Sequence, residues 1–359
     1  MLRKGVNPSK SRPSKMQAII LAAGKSTRTY PLTLTRPKTL LKTANKTIIE
    51  HNLESMADFV EEVIIVVGYK KEMIMDFLGN KFRKIRIKYV VQKEQLGTSH
   101  ALLMAEKLIK GRFLLMNGDD VFPKNGIREC VKKRNAILTA KVKNPENFGV
   151  IVAKNGIIAD FVEKPKEFVS DLVNAGLYVL DENIFSCIRN TKISERGELE
   201  LPDAIKLLSK SEKIHCIKTR DWLPIGYPWD LLYADLKLRK WKNSIGKNSK
   251  ITGKAVNSSV GNDCTIKGTV KDSIIMDNSI VEKDSIVEHS VIGENVHFSG
   301  TAKSGKNIEL SVNGKSIRVP VIGAIIGDNC KIRNVEIKQG CRINPGKIIA
   351  DKKIERDVK

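Results

Sequence analysis

Short apolar runs alternate with amphipathic stretches along roughly the first 240 residues of the chain. The apolar runs are typical of buried strands, and they cover residues 16–22, 63–67, 85–91 and 113–116. The amphipathic stretches have the spacing of helices, and they cover residues 48–59, 71–78, 98–109 and 228–240. This alternation predicts an α/β domain with a mostly parallel sheet, whose ligands bind at the carboxyl ends of the strands.

The pattern changes near residue 244, beyond which isoleucine recurs at every sixth position. The recurring residues are Ile274, Ile280, Ile286 and Ile292, then Ile326 and Ile332, and finally Ile337, Ile343 and Ile349. A period of six is typical of a parallel β-helix, in which each short face turns one aliphatic side chain inward and the turns use residues that tolerate positive φ. Residues 303–320 interrupt the period, and we expect them to form a protruding loop.

These patterns divide the chain into an α/β domain of residues 16–243 and a β-helix domain of residues 244–359. Residues 1–15 come first and contain basic, proline and serine residues but no acidic ones. Such a composition predicts a flexible basic tail.

Charge and composition limit the function classes. The formal net charge of +23 favours a nucleic-acid partner. Aromatic residues make up only 5%, however, and no RNA-module motif is present, so we expect no specific binding of nucleic acid. No apolar run approaches the ~20 residues that span a bilayer, and no apolar segment follows the basic N-terminus. We therefore expect a cytoplasmic protein without a membrane partner. The six cysteines lack C-x-x-C spacing, which indicates reduced thiols.

A loop of small residues, LAAGKSTRTYPLT from Leu21, follows the first apolar run. Small residues let backbone N–H groups approach phosphate oxygens, and Lys25, Arg28 and Lys38 add three cations nearby. The loop lacks the glycine pattern of dinucleotide-binding sites and the lysine placement of a P-loop. Asp119 also follows a predicted strand, which puts it at the same edge of the sheet. Taken alone, the loop is also compatible with an ordinary turn that carries surface cations.

The loop resembles the N-terminal motif of sugar-1-phosphate nucleotidylyltransferases, L-A-x-G-x-G-T-R-x-x-P-L-T followed by P-K, with Ser26 replacing the second glycine. Further elements of that family follow in order over about residues 17–235: QKEQLGTSH from Gln92, Gly118-Asp119, Phe148-Gly149-Val150, Glu163-Lys164-Pro165, Asn174-Ala175-Gly176 and RGELELPD from Arg196. The resemblance implies a Rossmann-like nucleotidyltransferase domain. Its implied reaction transfers a nucleotidyl group from UTP or dTTP to glucose 1-phosphate or N-acetylglucosamine 1-phosphate and releases pyrophosphate.

The resemblance also implies roles for individual residues. The implied catalytic residues, which act on the triphosphate charge, are Arg28, Lys38 and Lys25. Asp119 would bind Mg²⁺, the implied cofactor, because this hard cation prefers carboxylate and phosphate oxygens. The implied nucleotide-binding residues are Leu21, Ala23, Gly24, Gln92, Gly97 and Thr98. The implied sugar-phosphate-binding residues are Gly149, Glu163, Lys164 and Asn174.

One position departs from the family pattern. The family usually has W-x-D-[IV]-G, whose aspartate is a second Mg²⁺ ligand, whereas residues 222–226 read WLPIG and place Pro224 there. Because proline offers no side-chain ligand, either Asp221 or Asp230 substitutes for that aspartate or metal binding is weaker. A non-catalytic homologue that binds sugar nucleotides is therefore an open alternative.

The second domain is similar to the left-handed β-helix of hexapeptide repeats in bifunctional pyrophosphorylase/acetyltransferases of the archaeal type. The matching segments are GAIIGDN from Gly323, Asn313-Gly314-Lys315 and Asn344-Pro345-Gly346. The resemblance implies a homo-oligomer, commonly a trimer, formed through the β-helix. Those acetyltransferases carry a catalytic histidine in a longer loop, but residues 300–306 contain none and His297 lies earlier. Acetylation of glucosamine 1-phosphate is therefore a second open alternative.

Overall fold

Residues 16–240 form one large sheet with helices on both faces. The computed structural model describes residues 15–194 and 197–359, so the expected tail of residues 1–15, except Lys15, lies outside the described residues, as does Arg196. The strands are β1 (Met16–Ala22), β2 (Lys42–Thr43), β3 (Lys46–Thr47), β4 (Val60–Val67), β5 (Lys81–Phe82), β6 (Ile85–Val91), β7 (Phe113–Asn117), β8 (Ala136–Lys141), β9 (Gly149–Lys154), β10 (Ile157–Glu163), β11 (Leu172–Leu180) and β12 (His215–Thr219). The α-helices are α1 (Ile48–Met56), α2 (Lys71–Leu78), α3 (Thr98–Met104), α4 (Lys124–Val131), α5 (Asn183–Arg189), α6 (Leu201–Leu208) and α7 (Asp230–Leu238).

Local sequence signals explain where several of these elements begin and end. The strands β1 and β6 and the helix α2 have the predicted bounds. Helix α1 begins with a capping box, in which Glu50 N–H donates to Thr47 Oγ1 at 3.2 Å and Thr47 N–H donates to Glu50 Oε2 at 2.8 Å. It ends before residue 59 because the chain already enters β4 at residue 60. The helix predicted for residues 98–109 is α3 followed by a 3-10 turn, and α7 is shorter than predicted at both ends.

The strand order of the sheet is β5-β6-β4-β1-β7-β11-β8-β12-β10-β9. Strands β6, β4, β1 and β7 are mutually parallel and β8 is parallel to β12, but the other neighbours in this order are antiparallel. The expectation of a mostly parallel sheet is therefore wrong, although the α/β class is confirmed. The reason lies in short connections such as Asn155-Gly156, a tight turn with two positive φ angles that joins β9 to β10 without a crossover helix.

The core lies on both faces of the sheet. Ile20 of β1 belongs to a cluster with side chains of α1, α2 and α4, whereas its neighbour Ile19 belongs to a cluster with side chains of α3, α5 and α6. This alternation is what a strand buried on both faces requires. Within the described part of the chain, no helix combines the length and the hydropathy that a bilayer span needs.

The period-six region forms a parallel β-helix, as predicted. Its strands are β13 (Ser244–Ile245), β14 (Lys250–Ile251), β15 (Lys254–Val256), β16 (Ser259–Val260), β17 (Thr265–Ile266), β18 (Thr269–Lys271), β19 (Ile274–Ile275), β20 (Ile280–Val281), β21 (Ile286–Glu288), β22 (Val291–Ile292), β23 (His297–Ala302), β24 (Gly305–Val312), β25 (Lys315–Ile322), β26 (Ile325–Ile326), β27 (Lys331–Ile337), β28 (Arg342–Ile343) and β29 (Ile348–Ile354). Successive coils pair in parallel, so that Ser244 pairs with Ser259 and Ser259 with Ile274. Turn residues such as Asn248 and Asp263 have positive φ, in agreement with the sequence analysis.

The inward-facing positions of the first isoleucine run differ from the prediction. Ile275, Val281 and Val287 are fully buried in the β-helix core, whereas Ile280 and Ile286, one residue earlier, are only partly buried. The period of six is correct but its phase is wrong, because two adjacent positions are aliphatic in each strand and the period does not distinguish them. The predicted isoleucines at positions 292, 326, 332, 337, 343 and 349 do belong to the core.

Residues 303–320 are not a protruding loop, which corrects that expectation. Strands β24 and β25 form an antiparallel hairpin around Asn313-Gly314, whose positive φ angles of 49° and 77° suit a two-residue turn. Val312 and Val319 are buried against Leu223 and other side chains of the first domain. The hairpin folds back because this apolar side is stabilised by burial.

Charged side chains fasten the β-helix to the segment that follows the small-residue loop. Arg36, which is 8% exposed, donates to Glu294 Oε1 at 2.5 Å and to Asp328 Oδ2 at 2.6 Å. Lys42 Nζ donates to Asp277 Oδ2 at 2.5 Å in the same interface. The β-helix therefore packs close to the predicted site.

Candidate functional site

Two loops that follow neighbouring strands lie side by side at the carboxyl edge of the sheet. Leu21 of β1 is in register with Asn117, the last residue of β7. Gly118 N–H donates to the Leu21 carbonyl at 2.8 Å, and a Cβ at Gly118 would lie 2.9 Å from that oxygen. This close approach requires a glycine, and it puts Asp119 beside the loop that follows β1.

The two loops border a cavity of about 260 Å³, which we call the small cavity. Its lining includes the predicted residues Leu21, Ala23, Gly24, Lys38, Gln92, Gly97, Thr98 and Asp119. All six residues predicted to bind the nucleotide are therefore brought together, although they come from two separate segments of the chain.

Gln92 and Gly97 hold each other in place at the wall of the small cavity. The buried Gln92 amide donates from Nε2 to the Gly97 carbonyl at 3.2 Å and to His100 Nδ1 at 3.0 Å. Gly97 has a φ of 102°, and a Cβ there would lie 2.5 Å from the Leu199 carbonyl oxygen. The glycine is thus required by the fold itself, in addition to any approach by a ligand.

A second cavity of about 910 Å³, which we call the large cavity, adjoins the first. Its lining includes the predicted residues Arg28, Lys38, Asp119, Gly149, Glu163, Lys164 and Asn174. Because Lys38 and Asp119 line both cavities, they lie where the two cavities meet. Lys25 is exposed and lines neither cavity.

Hydrogen bonds orient the polar side chains of the large cavity. Asn174 Nδ2 donates to the Tyr178 hydroxyl at 2.7 Å, and Gly176 N–H donates to Asn174 Oδ1 at 2.8 Å. One donor and one acceptor position of the Asn174 amide remain for a ligand. Lys164 Nζ lies 3.2 Å from Glu163 Oε1, which aligns a cation and a carboxylate along the wall.

The junction of the cavities carries a buried cation between two carboxylates. Lys38 is 4% exposed, and its Nζ lies 2.9 Å from Asp119 Oδ2 and 4.0 Å from Asp120 Oδ1. Burial alone would raise the pKa of the Asp119 carboxyl, but Lys38 and Arg28 outweigh it and hold that pKa below its usual value. Burial and the charge of Asp119 instead raise the pKa of Asp120 to about 7. Asp119 therefore loses its proton at a lower pH than Asp120.

Asp120 anchors the segment that departs from the family pattern. Trp222 Nε1 donates to Asp120 Oδ2 at 3.1 Å, and Ile225 N–H donates to Asp120 Oδ1 at 2.9 Å. Both carboxylate oxygens therefore accept bonds from residues that flank Pro224. These bonds hold the proline in the lining of the large cavity.

Asp230, and not Asp221, lines the large cavity. Its Oδ2 accepts hydrogen bonds from Gly226 N–H and Tyr227 N–H, both at 2.8 Å. Burial raises the pKa of Asp230 to about 6, against the opposing effect of those N–H groups. Of the two aspartates considered as substitutes at Pro224, the structure brings only Asp230 to the site.

The donor set fits a magnesium ion that arrives with a phosphate ligand. Asp119 offers an ionised carboxylate to both cavities, with its side chain 40% exposed. No cluster of three or more His, Cys, Asp or Glu side chains suited to a metal occurs among residues 15–194 and 197–359. Mg²⁺ is commonly held by one or two carboxylates and completed by substrate phosphates and water, which matches this single carboxylate.

Several residues of the site were not predicted from the sequence. Asn117 lines both cavities, and its position at the end of β7 was a usable signal. Tyr227 lies under Arg28, whose Cζ is 5.8 Å from the ring centroid, an arrangement typical of a cation–π contact. Lys315 and Arg318 of the hairpin also line the large cavity. They lie far along the chain from the other residues of the site, so no local sequence pattern indicated this position.

Comparison with known proteins agrees with this geometry. The family model described as nucleotidyl transferase matches residues 17–240, which is more than half of the chain. The chain belongs to the nucleotidyl transferase family. A second model, described as GlmU-like, C-terminal hexapeptide, matches residues 243–320.

Two relatives match nearly the full length of the chain. The chain is 36% identical to the bifunctional protein GlmU of Methanococcus maripaludis, over 96% of this chain and 95% of the relative. It is 31% identical to the bifunctional sugar-1-phosphate nucleotidylyltransferase/acetyltransferase of Sulfurisphaera tokodaii, over 93% and 97% of the two chains. A crystal structure of UDP-glucose pyrophosphorylase with UDP-glucose superposes with a TM-score of 0.57 and 26% identity, and covers 63% of this chain and 99% of that one. The predicted enzyme class, a sugar-1-phosphate nucleotidylyltransferase with a hexapeptide-repeat region, is confirmed.

Proposed function

We propose that the chain transfers a nucleotidyl group from UTP or dTTP to a sugar 1-phosphate, either glucose 1-phosphate or N-acetylglucosamine 1-phosphate. One observation carries the proposal: Lys38 and Asp119 line both cavities. A nucleoside triphosphate in the small cavity and a sugar phosphate in the large cavity would meet at this cation and this carboxylate. Their meeting point is where the new phosphoanhydride bond has to form.

The reaction is an in-line displacement at the α-phosphorus of the triphosphate. An oxygen of the sugar 1-phosphate attacks, the bond to the β-phosphate oxygen breaks, and pyrophosphate leaves with that electron pair. The attacking oxygen is already an anion, so the protein mainly has to position two anions and neutralise their charge. Lys38 and Arg28 supply fixed positive charge, and Lys25 adds to it from the loop.

Asp119 would hold Mg²⁺ together with phosphate oxygens of the substrate. The bound ion would neutralise phosphate charge that the side chains alone leave unbalanced. Lys38 keeps the Asp119 carboxylate ionised, and Asp120 keeps the adjoining loop in place through Trp222 and Ile225.

The remaining roles follow the lining of the two cavities. In the small cavity, Gln92, Gly97 and Thr98 would bind the base and sugar of the nucleotide, while Leu21, Ala23 and Gly24 approach it with backbone atoms and small side chains. In the large cavity, Lys164 would bind the phosphate of the sugar 1-phosphate. Glu163, Asn174 and Gly149 would contact its hydroxyl groups.

We also propose that the boundary between the two domains lies between residues 243 and 244. The chain would further form a homo-oligomer, most simply a trimer, through the β-helix. Hexapeptide-repeat regions present flat faces that suit such assembly. Light scattering on the purified chain measures the mass directly. A monomeric mass at micromolar concentration would contradict the oligomer.

The substrate proposal is tested by a coupled pyrophosphate assay with Mg²⁺. Four nucleoside triphosphates are combined with glucose, glucosamine and N-acetylglucosamine 1-phosphates. We expect turnover with a pyrimidine triphosphate and a much lower rate with ATP or GTP. Ligand binding without turnover for every pair would instead favour a non-catalytic sugar-nucleotide-binding protein.

Acetyl transfer is a second candidate function, because relatives of full length are named as bifunctional. Two histidines of the β-helix bear on it. His297 is exposed and its Nε2 lies 2.9 Å from Glu282 Oε1, and His289 Nε2 lies 3.9 Å from Asp272 Oδ2. The test is thiol release from acetyl-CoA with glucosamine 1-phosphate. Release that survives His297→Ala and His289→Ala would exclude both histidines as the base.

A further inference from the structure

The hairpin of β24 and β25 buries apolar side chains and also carries two cations. Val312, Val319 and Ile322 are buried, with 6%, 2% and 0% exposure, in a cluster that includes Leu223 and Trp229 of the nucleotidyltransferase domain. The strand register pairs Lys315 with Val312 and Arg318 with Glu309, which puts the two cations on opposite faces of β25. Both nevertheless line the large cavity, together with Arg28 and Asp119. The hairpin is inserted in the β-helix, yet it forms part of the wall of the transfer site.

The tip of the hairpin touches the loop that follows β1. Asn313 Nδ2 donates to Thr27 Oγ1 at 3.3 Å, one residue before Arg28. Arg342 holds the hairpin close to the same turn, because its Nη2 donates to the Ser311 carbonyl at 2.9 Å. The part of the hairpin next to the turn is therefore held at two points.

Lys315 and Arg318 have no ion-pair partner in the described part of the chain, although carboxylates such as Asp119 and Glu146 line the same cavity. Glu309 is opposite Arg318 in the strand register but does not line the cavity. Two unpaired cations in the wall of one cavity favour an anionic ligand, because like charges repel unless an anion lies between them.

We propose that Lys315 and Arg318 bind the β- and γ-phosphates of the nucleoside triphosphate, which leave as pyrophosphate. The choice of these phosphates rests on the tip contact, since Lys315 follows the turn that touches the loop proposed to hold the triphosphate. Arg318 and Lys315 line the same cavity as Arg28, into which the β- and γ-phosphates would extend past the junction with the small cavity. The inference rests on the proposed nucleotidyl transfer and gives the second domain a direct part in it.

The kinetic test compares Lys315→Ala, Arg318→Ala and the double variant with Lys306→Ala. Lys306 is an exposed cation on the same hairpin that lines neither cavity, so it controls for net charge and for hairpin stability. We expect the double variant to raise the KM for the triphosphate, and the KM for pyrophosphate in the reverse reaction, about tenfold or more. The KM for the sugar 1-phosphate should stay within about twofold, and Lys306→Ala should resemble the wild type.

Two outcomes would overturn the inference. If the double variant matches Lys306→Ala in all three KM values, the hairpin cations face only solvent. If only the KM for the sugar 1-phosphate rises, the cations bind the other substrate. Arg318→Lys distinguishes charge from shape, since a loss that lysine restores is a charge effect.

A binding measurement separates this inference from the proposed function. Inorganic pyrophosphate is titrated into the full chain by calorimetry, which needs no turnover. Weaker pyrophosphate binding in the double variant than in Lys306→Ala supports the hairpin site even if no substrate pair reacts. Equal binding in both variants contradicts it, even if the wild type is fully active.

Discussion

Lys38 Nζ lies 2.9 Å from Asp119 Oδ2, at the point where the small and large cavities meet. The cation is almost completely buried, so it depends on this carboxylate for a partner. The carboxylate in turn depends on the cation to stay ionised. The pair therefore keeps one fixed positive charge and one metal-binding oxygen group beside the reacting phosphates.

Removal of the Asp119 carboxylate should abolish transfer. Asp119→Ala takes away the proposed metal ligand and leaves Lys38 unpaired, so we expect pyrophosphate release to fall at least about a hundredfold. The coupled pyrophosphate assay measures this rate. Asp221→Ala is the control, because Asp221 is exposed and lines neither cavity. A normal rate in Asp119→Ala would exclude it as a metal ligand.

An aspartate in place of Pro224 should keep or raise the rate. The side chain would add a second carboxylate to the large cavity, so we expect Pro224→Asp to reach half-maximal rate at a lower Mg²⁺ concentration. Pro224→Asn has the same shape without the charge and should show no such shift. A Mg²⁺ titration of both variants measures the effect, and identical titrations would show that no metal lies near this position.

The loss of Arg36 should weaken the contact between the two domains. Arg36→Ala leaves the buried Asp328 without its cation, which costs about 3–5 kcal/mol when a buried pair is broken on one side. The matched control is Arg333→Ala, which breaks an exposed pair with Asp351 and should cost under about 1 kcal/mol. Urea unfolding measures both values. Equal midpoints for the two variants would contradict the interface as described.

Stability should fall as the pH drops below 6.5, in part through His51. Burial lowers the pKa of His51, although its Nε2–H donates to the Thr43 carbonyl at 2.9 Å. The unfolded chain therefore binds a proton at His51 between its folded pKa and 6.5 while the folded chain does not, so stability is lost as the pH falls through that window. Over the same pH range, the His51→Gln variant should lose less unfolding free energy than the wild type, by at most about 1.4 kcal/mol per pH unit. Urea unfolding midpoints of the wild type and of His51→Gln are compared at pH 7.5 and 5.5. An equal drop in both proteins would show that His51 does not contribute to the pH dependence.

Two alanine substitutions test which of the adjacent aliphatic residues face the core of the β-helix. Ile275→Ala empties a fully buried position and should cost about 2–5 kcal/mol, whereas Ile280→Ala removes a partly exposed side chain and should cost less than half as much. The free energies of unfolding from urea titrations decide between them. A larger cost at Ile280 would restore the original assignment.

Much of the fold was predictable because its signals are local. The apolar run of β1 and the amphipathic spacing of α2 each determine a single element, and the structure has both at the predicted bounds. The phase of the repeats was not predictable, because Ile274 and Ile275 are equally apolar and the first packs outward against the other domain.

The hairpin had a local signal that the sequence analysis did not use. Alternating apolar residues, Ile308 and Leu310 on one side and Ile317 and Val319 on the other, flank Asn313-Gly314, which is the pattern of a two-residue hairpin. The position of the hairpin at the transfer site, in contrast, had no local signal in the sequence. Asn313 and Thr27 are far apart in the chain, and their contact depends on how two separately folded regions pack together.

The most direct test of the central claim is to identify the product. The full chain is incubated with UTP or dTTP, a sugar 1-phosphate and Mg²⁺, and ³¹P NMR follows every phosphorus signal. The account predicts equal amounts of a nucleoside diphosphate sugar and pyrophosphate, and neither product with Asp119→Ala. Release of inorganic phosphate without a nucleotide sugar, or unchanged substrates despite measurable binding, would contradict it.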